Sequence, residues 1–312
     1  MKKINFILFA LSFALSYSQN IVSEDILIKN DSIDLPGTLS YDKSIVQQPL
    51  IIFIHGSGNI DRNGNAFGAP GKSDSVKQLS EALNKEGIAF YRYDKRSANM
   101  KNLRLIMKEG VNLNDFVDDA KLAIQKFKDD KRFSTITVIG HSQGSLIGML
   151  LLDAGVNKYI SLAGPSNTID KTITEQVRMQ NGDSIASLVS NHFKELKETG
   201  RIENVDPNLL LFFNKTNQGF FKSWIAYDPI EEMAKVNKPT LIINGTKDIQ
   251  VFEADAKALH QANPKAKLVI IENMNHALKT ITKDEDNLKS YNTPDFPLSE
   301  DLVKAITTFV KK

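Results

Sequence analysis

Hydrophobic positions along the chain fall into two regimes. Ile21 to Ile28 and Ile33 to Tyr41 alternate and are bounded by turn residues, which predicts two strands forming an antiparallel edge. From Pro49 the pattern changes to short, continuously apolar, β-rich runs: 49–54, 88–93, 135–139, 159–162, 240–243 and 267–271. Runs of this kind suit strands buried on both faces of a parallel sheet. Helical stretches lie between them, at 74–86, 114–128, 142–153, 252–262 and 299–311. Alternating strand and helix predicts a doubly wound α/β sheet with helices on both faces.

The interval 165–224 interrupts the alternation. It contains no strand pattern, and Ile185, Leu188, Val189, Phe193 and Leu196 share one helical face. It is expected to be a helical cap inserted into a core made of 20–164 and 225–312. Late in the cap, Leu209, Leu210, Leu211, Phe212, Phe213, Phe220, Phe221 and Trp224 crowd together. They either join the cap to the body or line an acyl pocket.

Length allows a single large domain with a deep core. Met1-Lys2-Lys3, the apolar run 4–15 and Ser16-Tyr17-Ser18-Gln19 read as a signal peptide over 1–19, and so as an exported protein, periplasmic or secreted. The run is short for a bilayer span, so no stable membrane insertion is expected. Cysteine is absent, which excludes disulfides, thiol nucleophiles and thiolate metal sites. The formal charge is +2, and setting aside Lys2 and Lys3 leaves 37 basic against 37 acidic residues. Such a balance offers no broad field for nucleic acid and suits a small neutral substrate. Composition carries no information on oligomeric state.

The chemistry centres on Gly140-His141-Ser142-Gln143-Gly144, placed between a strand and an apolar helix. A serine on so sharp a turn adopts strained backbone angles, and side chains flanking it at two positions' distance would collide, hence the glycines. The turn also puts the Gln143 amide at a helix N-terminus, where negative charge is stabilised. A serine hydroxyl needs a base, and the base needs a carboxylate to hold its tautomer. Asp248, in Asn244-Gly245-Thr246-Lys247-Asp248, and His276, in Asn273-Met274-Asn275-His276, both follow strand ends on the ligand-binding edge of such sheets. Asp228 and Asp255 compete less well for the acid. His55, His141, His192 and His260 read as structural, with His141 turned away from the site. His55-Gly56-Ser57-Gly58-Asn59 follows a strand, so the amides of Ser57 and Gln143 are candidate oxyanion donors. The same loop lacks the Lys-Ser/Thr of a phosphate loop.

These residues, with the stretches 55–65 and 87–97, resemble the α/β-hydrolases, and more narrowly bacterial carboxylesterases related to dienelactone-hydrolase and serine-aminopeptidase-like groups. The resemblance runs from about Leu50 to the C-terminus and is weakest in the cap. It implies an eight-stranded, mostly parallel sheet, an acyl-enzyme mechanism without cofactor or metal, and a small-molecule ester as substrate. It supports Ser142, Asp248 and His276 as the triad, with Ser57 and Gln143 at the oxyanion. A peptidase or amidase acting on small peptides is the alternative, and a non-catalytic binding protein a more distant one. Arg62 and Arg96 either clamp a substrate carboxylate or brace loops through Asp61 or Asp94.

Overall fold

The computed structural model describes residues 20–312; the expected leader lies outside the described residues. Eight strands form one sheet: β1 (Ile21–Asn30), β2 (Ile33–Asp42), β3 (Gln48–Ile54), β4 (Ala89–Tyr93), β5 (Phe133–His141), β6 (Lys158–Leu162), β7 (Thr240–Gly245) and β8 (Lys267–Ile271). Their order is β1-β2-β4-β3-β5-β6-β7-β8. β1 pairs antiparallel with β2, and β2 with β4, whereas all later pairings are parallel.

The apolar runs are explained by the two faces. Along β3, Leu50, Ile52 and Ile54 enter one hydrophobic cluster while Ile51 and Phe53 enter the other, so every position from Leu50 to Ile54 is buried. Helices α1 (Ser75–Lys85) and α10 (Glu300–Val310) cover one face through Val76, Leu79, Leu83, Leu302 and Ile306. On the opposite face lie α3 (Leu113–Phe127), α4 (Gln143–Met149), α8 (Pro229–Lys235) and α9 (Glu253–Ala262). α3 begins at a capping box, in which Asn112 accepts from the Asp115 amide at 3.2 Å and Asp115 accepts from the Asn112 amide at 2.7 Å.

Between β6 and α8 lie α5 (Ile169–Asn181), α6 (Asp183–Thr199) and α7 (Lys215–Ile225). They pack on one another, and α7 also reaches α3 of the body. The shared face expected in this interval is that of α6, where Ala186, Val189, Phe193 and Leu196 are buried.

Three helices depart from the pattern reading, one of them α8, which lies where no helical stretch is predicted. α4 stops at Met149 rather than Asp153, because the amides of Leu150 and Leu151 bond three residues back, to Ile147 and Gly148, and the tightened turn ends the helix. α2 (Met100–Glu109) was not expected. Its one fully buried residue is polar, Asn102, which bonds the Asp34 backbone, while Leu103, Leu105 and Ile106 are half-buried. Among the described residues no helix is long and apolar enough to cross a membrane.

Candidate active site

β3 pairs with β4 on one side and β5 on the other, so chain order reverses there and a crevice opens at the C-terminal ends of β3 and β5. Ser142 sits at that rim, between β5 and α4, with φ 55° and ψ −121°. A non-glycine residue held there costs roughly 1–3 kcal/mol, which the surrounding packing must offset. The flanking glycines have a tighter reason than mutual avoidance of side chains. A Cβ on Gly140 would lie 2.1 Å from the Gly144 carbonyl oxygen, and one on Gly144 would lie 2.2 Å from the Ile54 carbonyl oxygen of β3. The turn is pressed against its own backbone and against the neighbouring strand.

Asp248 and His276 meet. The Asp248 Oδ2 and His276 Nδ1 are 2.7 Å apart and both side chains are buried. Oδ1 of Asp248 accepts from the amides of Gln250 at 2.8 Å and Val251 at 2.9 Å, so the carboxylate cannot rotate freely. With a carboxylate as its partner, Nδ1 carries the proton and Nε2 is left as acceptor. The His276 turn contains left-handed Asn273 and Leu278, at φ 60° and 64°. Buried Asn275 holds it, accepting from the Lys279 amide and donating to Asn287 Oδ1 and Ser290 Oγ at 2.9 and 2.8 Å. Asn287 in turn donates to the Lys247 carbonyl at 2.8 Å, which ties the base's turn to the acid's.

Contrary to expectation, His141 is not turned away. Its Nε2 donates to the His276 carbonyl at 3.0 Å and the two rings lie 4.6 Å apart. Burial, and secondarily the neighbouring His276, push its pKa down to about 3, so it stays neutral and serves as a brace. Ser142 therefore lies one residue from a ring that touches His276. Among the described residues nothing hydrogen-bonds the Ser142 hydroxyl, so the serine–imidazole link is not formed in this structure. Such links are often long until substrate binds.

The competing residues are held elsewhere. Asp255 accepts from the Ser166 amide and hydroxyl, Asp228 caps α8, and His192 accepts from the Asp206 amide. His55 is buried beside Phe53 and Tyr93. Arg62 grips Asp94 through two bonds of 3.0 Å, the loop brace anticipated for it. Arg96 is also a brace, but through Asp119, with two bonds of 2.7 Å, and Asp115. Asp61, instead, accepts backbone amides of its own turn.

A cavity of about 490 Å³ opens over Ser142, Gln143 and Ser57. Phe116 of α3 and Phe212, Phe220, Phe221 and Trp224 of the cap line it. The crowded cap residues thus divide three ways. Leu209 is buried and Phe213 packs with Phe193 inside the cap, Phe212, Phe220, Phe221 and Trp224 face the cavity, and Leu210 and Leu211 are exposed by 56% and 91%. The Ser57 amide donates to nothing among the described residues, and the Gln143 amide is the first of α4, a position without an intrahelical acceptor. Among the lining residues without a role assigned from the sequence is Lys95, after β4, the single charged side chain among the described residues of the wall.

Known structures share the fold. Est1E from Butyrivibrio proteoclasticus superposes with a TM-score of 0.58 at 20% identity, covering 92% of this chain and 99% of that one. The Pyrococcus furiosus esterase Pf2001 gives 0.57 at 17% identity, covering 93% and 90%. The chain has the α/β-hydrolase fold. Within it, the model of the serine aminopeptidase S33 family matches residues 68–210, a stretch that includes Ser142 but neither Asp248 nor His276. Esterase EstD of Thermotoga maritima is 23% identical over 250 residues, 78% of this chain. The chain spans 58% of that relative's length. A bromoperoxidase from Bacillus anthracis also shares the α/β-hydrolase fold, with a TM-score of 0.54 at 19% identity. Fold alone therefore does not specify the reaction.

Proposed function

We propose that the protein is a serine hydrolase that cleaves small carboxylic esters through an acyl-enzyme on Ser142. The observation that carries this reading is the 2.7 Å Asp248–His276 bond beside a serine held at φ 55° on the floor of an apolar cavity. In this mechanism Nε2 of His276 takes the Ser142 proton as Oγ attacks the ester carbonyl. Asp248 stabilises the imidazolium, and the amides of Ser57 and Gln143 receive the oxyanion. The imidazolium then protonates the departing alcohol. Water, activated by the same imidazole, releases the acid and restores Ser142.

Esters are favoured over aminopeptidase substrates by the wall of the cavity. A free α-ammonium needs an acidic partner when it leaves water, and no Asp or Glu lines this cavity among the described residues. The aromatic wall suits the apolar acyl or alcohol part of an ester, and the relatives named as esterases support the same reading. The solved structure of Est1E with ferulic acid bound shows a fold of this kind accommodating an aromatic acid. Export follows from the leader reading alone, and mass spectrometry of protein recovered outside the cytoplasm would test it.

The experiment is hydrolysis of 4-nitrophenyl acetate and butyrate by the unmodified protein and by Ser142→Ala, beside a panel of aminoacyl 4-nitroanilides. Loss of ester hydrolysis on the order of 10⁴-fold or more in Ser142→Ala is expected. Equal rates would refute the nucleophile, and a larger kcat/KM on the anilides would refute the ester.

A further inference from the structure

Lys95 is 5% exposed, and among the described residues no carboxylate lies within ion-pair distance of its Nζ. Asp119, the acid that acts on it electrostatically, is already engaged by Arg96 and by Asn30. A buried ammonium without a counter-ion is costly, and such departures from good packing practice concentrate at working sites. What Lys95 does hold is specific. Its Nζ donates to the Gly56 carbonyl at 2.6 Å and to Gln143 Oε1 at 2.9 Å, and lies 4.6 Å from the centre of the Phe116 ring.

The Gly56 carbonyl and the Ser57 N–H belong to one peptide unit. No peptide bond among the described residues is cis, so the two groups point in opposite directions across a rigid plane. Gripping the carbonyl from behind therefore aims the Ser57 N–H the other way and, by polarising the peptide, strengthens it as a donor. The second bond anchors the side chain of Gln143, whose backbone N–H is the other candidate donor. An ammonium has only donors to offer, so it also dictates which end of the Gln143 amide faces it.

We infer that Lys95 is the positioning residue of the oxyanion site, bridging the turns after β3 and β5 so that the Ser57 and Gln143 amides converge on the carbonyl oxygen of the substrate. This rests on the esterase reading above. The groups facing Lys95 are His55 and Tyr93 at the ends of β3 and β4, Asp119 on α3, and Arg96 beside it. Burial lowers its pKa to about 7, against 10.5 normally, so its charge is present below that pH and lost above it.

The test is a steady-state comparison of Lys95→Met, Gln143→Met and the double variant on 4-nitrophenyl acetate, with kcat followed from pH 6 to 9 and folding checked by circular dichroism melts. Gln143→Met keeps the backbone N–H and removes only the ammonium's acceptor. Lys95→Met is expected to lose roughly 10²-fold in kcat with KM changed by less than about threefold. The double variant should lose little more than Lys95→Met alone, and the decline in kcat on the alkaline side should vanish with the lysine. A folded Lys95→Met whose kcat is within about threefold of the unmodified protein, or whose loss is entirely in KM, overturns the inference. If Lys95→Met does not fold, Gln143→Met decides: a kcat loss of about tenfold supports the bridge and an unchanged kcat overturns it. Activity retained in Ser142→Ala would instead defeat the underlying esterase reading, while an inactive Ser142→Ala beside a fully active Lys95→Met defeats the lysine's role alone.

Discussion

Replacing Asp248 by asparagine should disable the base without disturbing the fold, because the protein itself dictates how the amide must sit. Oδ1 of Asp248 accepts two backbone N–H groups, from Gln250 at 2.8 Å and Val251 at 2.9 Å, and Oδ2 faces His276 Nδ1 at 2.7 Å. An asparagine has one oxygen and one NH2. Turning the NH2 toward two N–H donors would leave three buried donors facing one another, at about 1–3 kcal/mol for each unsatisfied group. The oxygen therefore stays with the backbone and the NH2 points at His276. Nδ1 must then accept, the proton moves to Nε2, and the imidazole can no longer take the serine's proton. In a triad with the wrong tautomer, kcat falls by on the order of 10⁴, equivalent to about 5.4 kcal/mol. The assay is kcat for 4-nitrophenyl acetate at neutral pH, with thermal melting as the control for folding. A folded Asp248→Asn with kcat within tenfold of the unmodified protein would show that this carboxylate does not set the tautomer of the working base.

Two further outcomes concern stability. Gly144→Ala should lower the urea midpoint by the equivalent of about 3 kcal/mol or more, since the new methyl meets the Ile54 and His55 carbonyl oxygens at 2.2 and 2.8 Å and neither strand nor helix can retreat cheaply. An unchanged midpoint would mean that the β3–α4 contact is looser than described. His55 and His141 should make the protein acid-sensitive. Burial is the first cause at both sites and holds each near a pKa of about 3 against 6.5 normally, so between those values the unfolded chain binds more protons. Stability from this source is complete above about 6.5 and declines as pH falls toward 3, by up to roughly 1.4 kcal/mol per pH unit per histidine. Urea melts at pH 7.5, 6.5 and 5.5, a range in which most carboxylates stay ionised, would measure it, and coincident midpoints would contradict it.

Much of the architecture is written locally. Alternation marks β1 and β2, continuous apolar runs mark β3 to β8, and both follow from which faces a strand must bury, a property of each segment on its own. The elbow at Ser142 was legible because Gly140 answers to a turn five residues long, although the demand on Gly144 comes from the distant β3 backbone. Asp248 and His276 could be nominated because a strand end is a local event and the sheet places all such ends on one edge.

What sequence could not supply were partners distant along the chain. The Arg96–Asp119 pair, the Asn275–Asn287–Lys247 tie and the bond from His141 to the His276 carbonyl each join segments that only the folded topology brings together. Helix α2 escaped because its fully buried anchor is the polar Asn102, whose partner Asp34 lies far along the chain, and the cap aromatics could not be sorted into packing and lining until the cap lay over the sheet. Lys95 is the clearest case. In sequence it is one lysine among many, and it gains meaning only when β3, β4 and α4 converge, because long-range geometry decides which polar atoms a buried charge will meet.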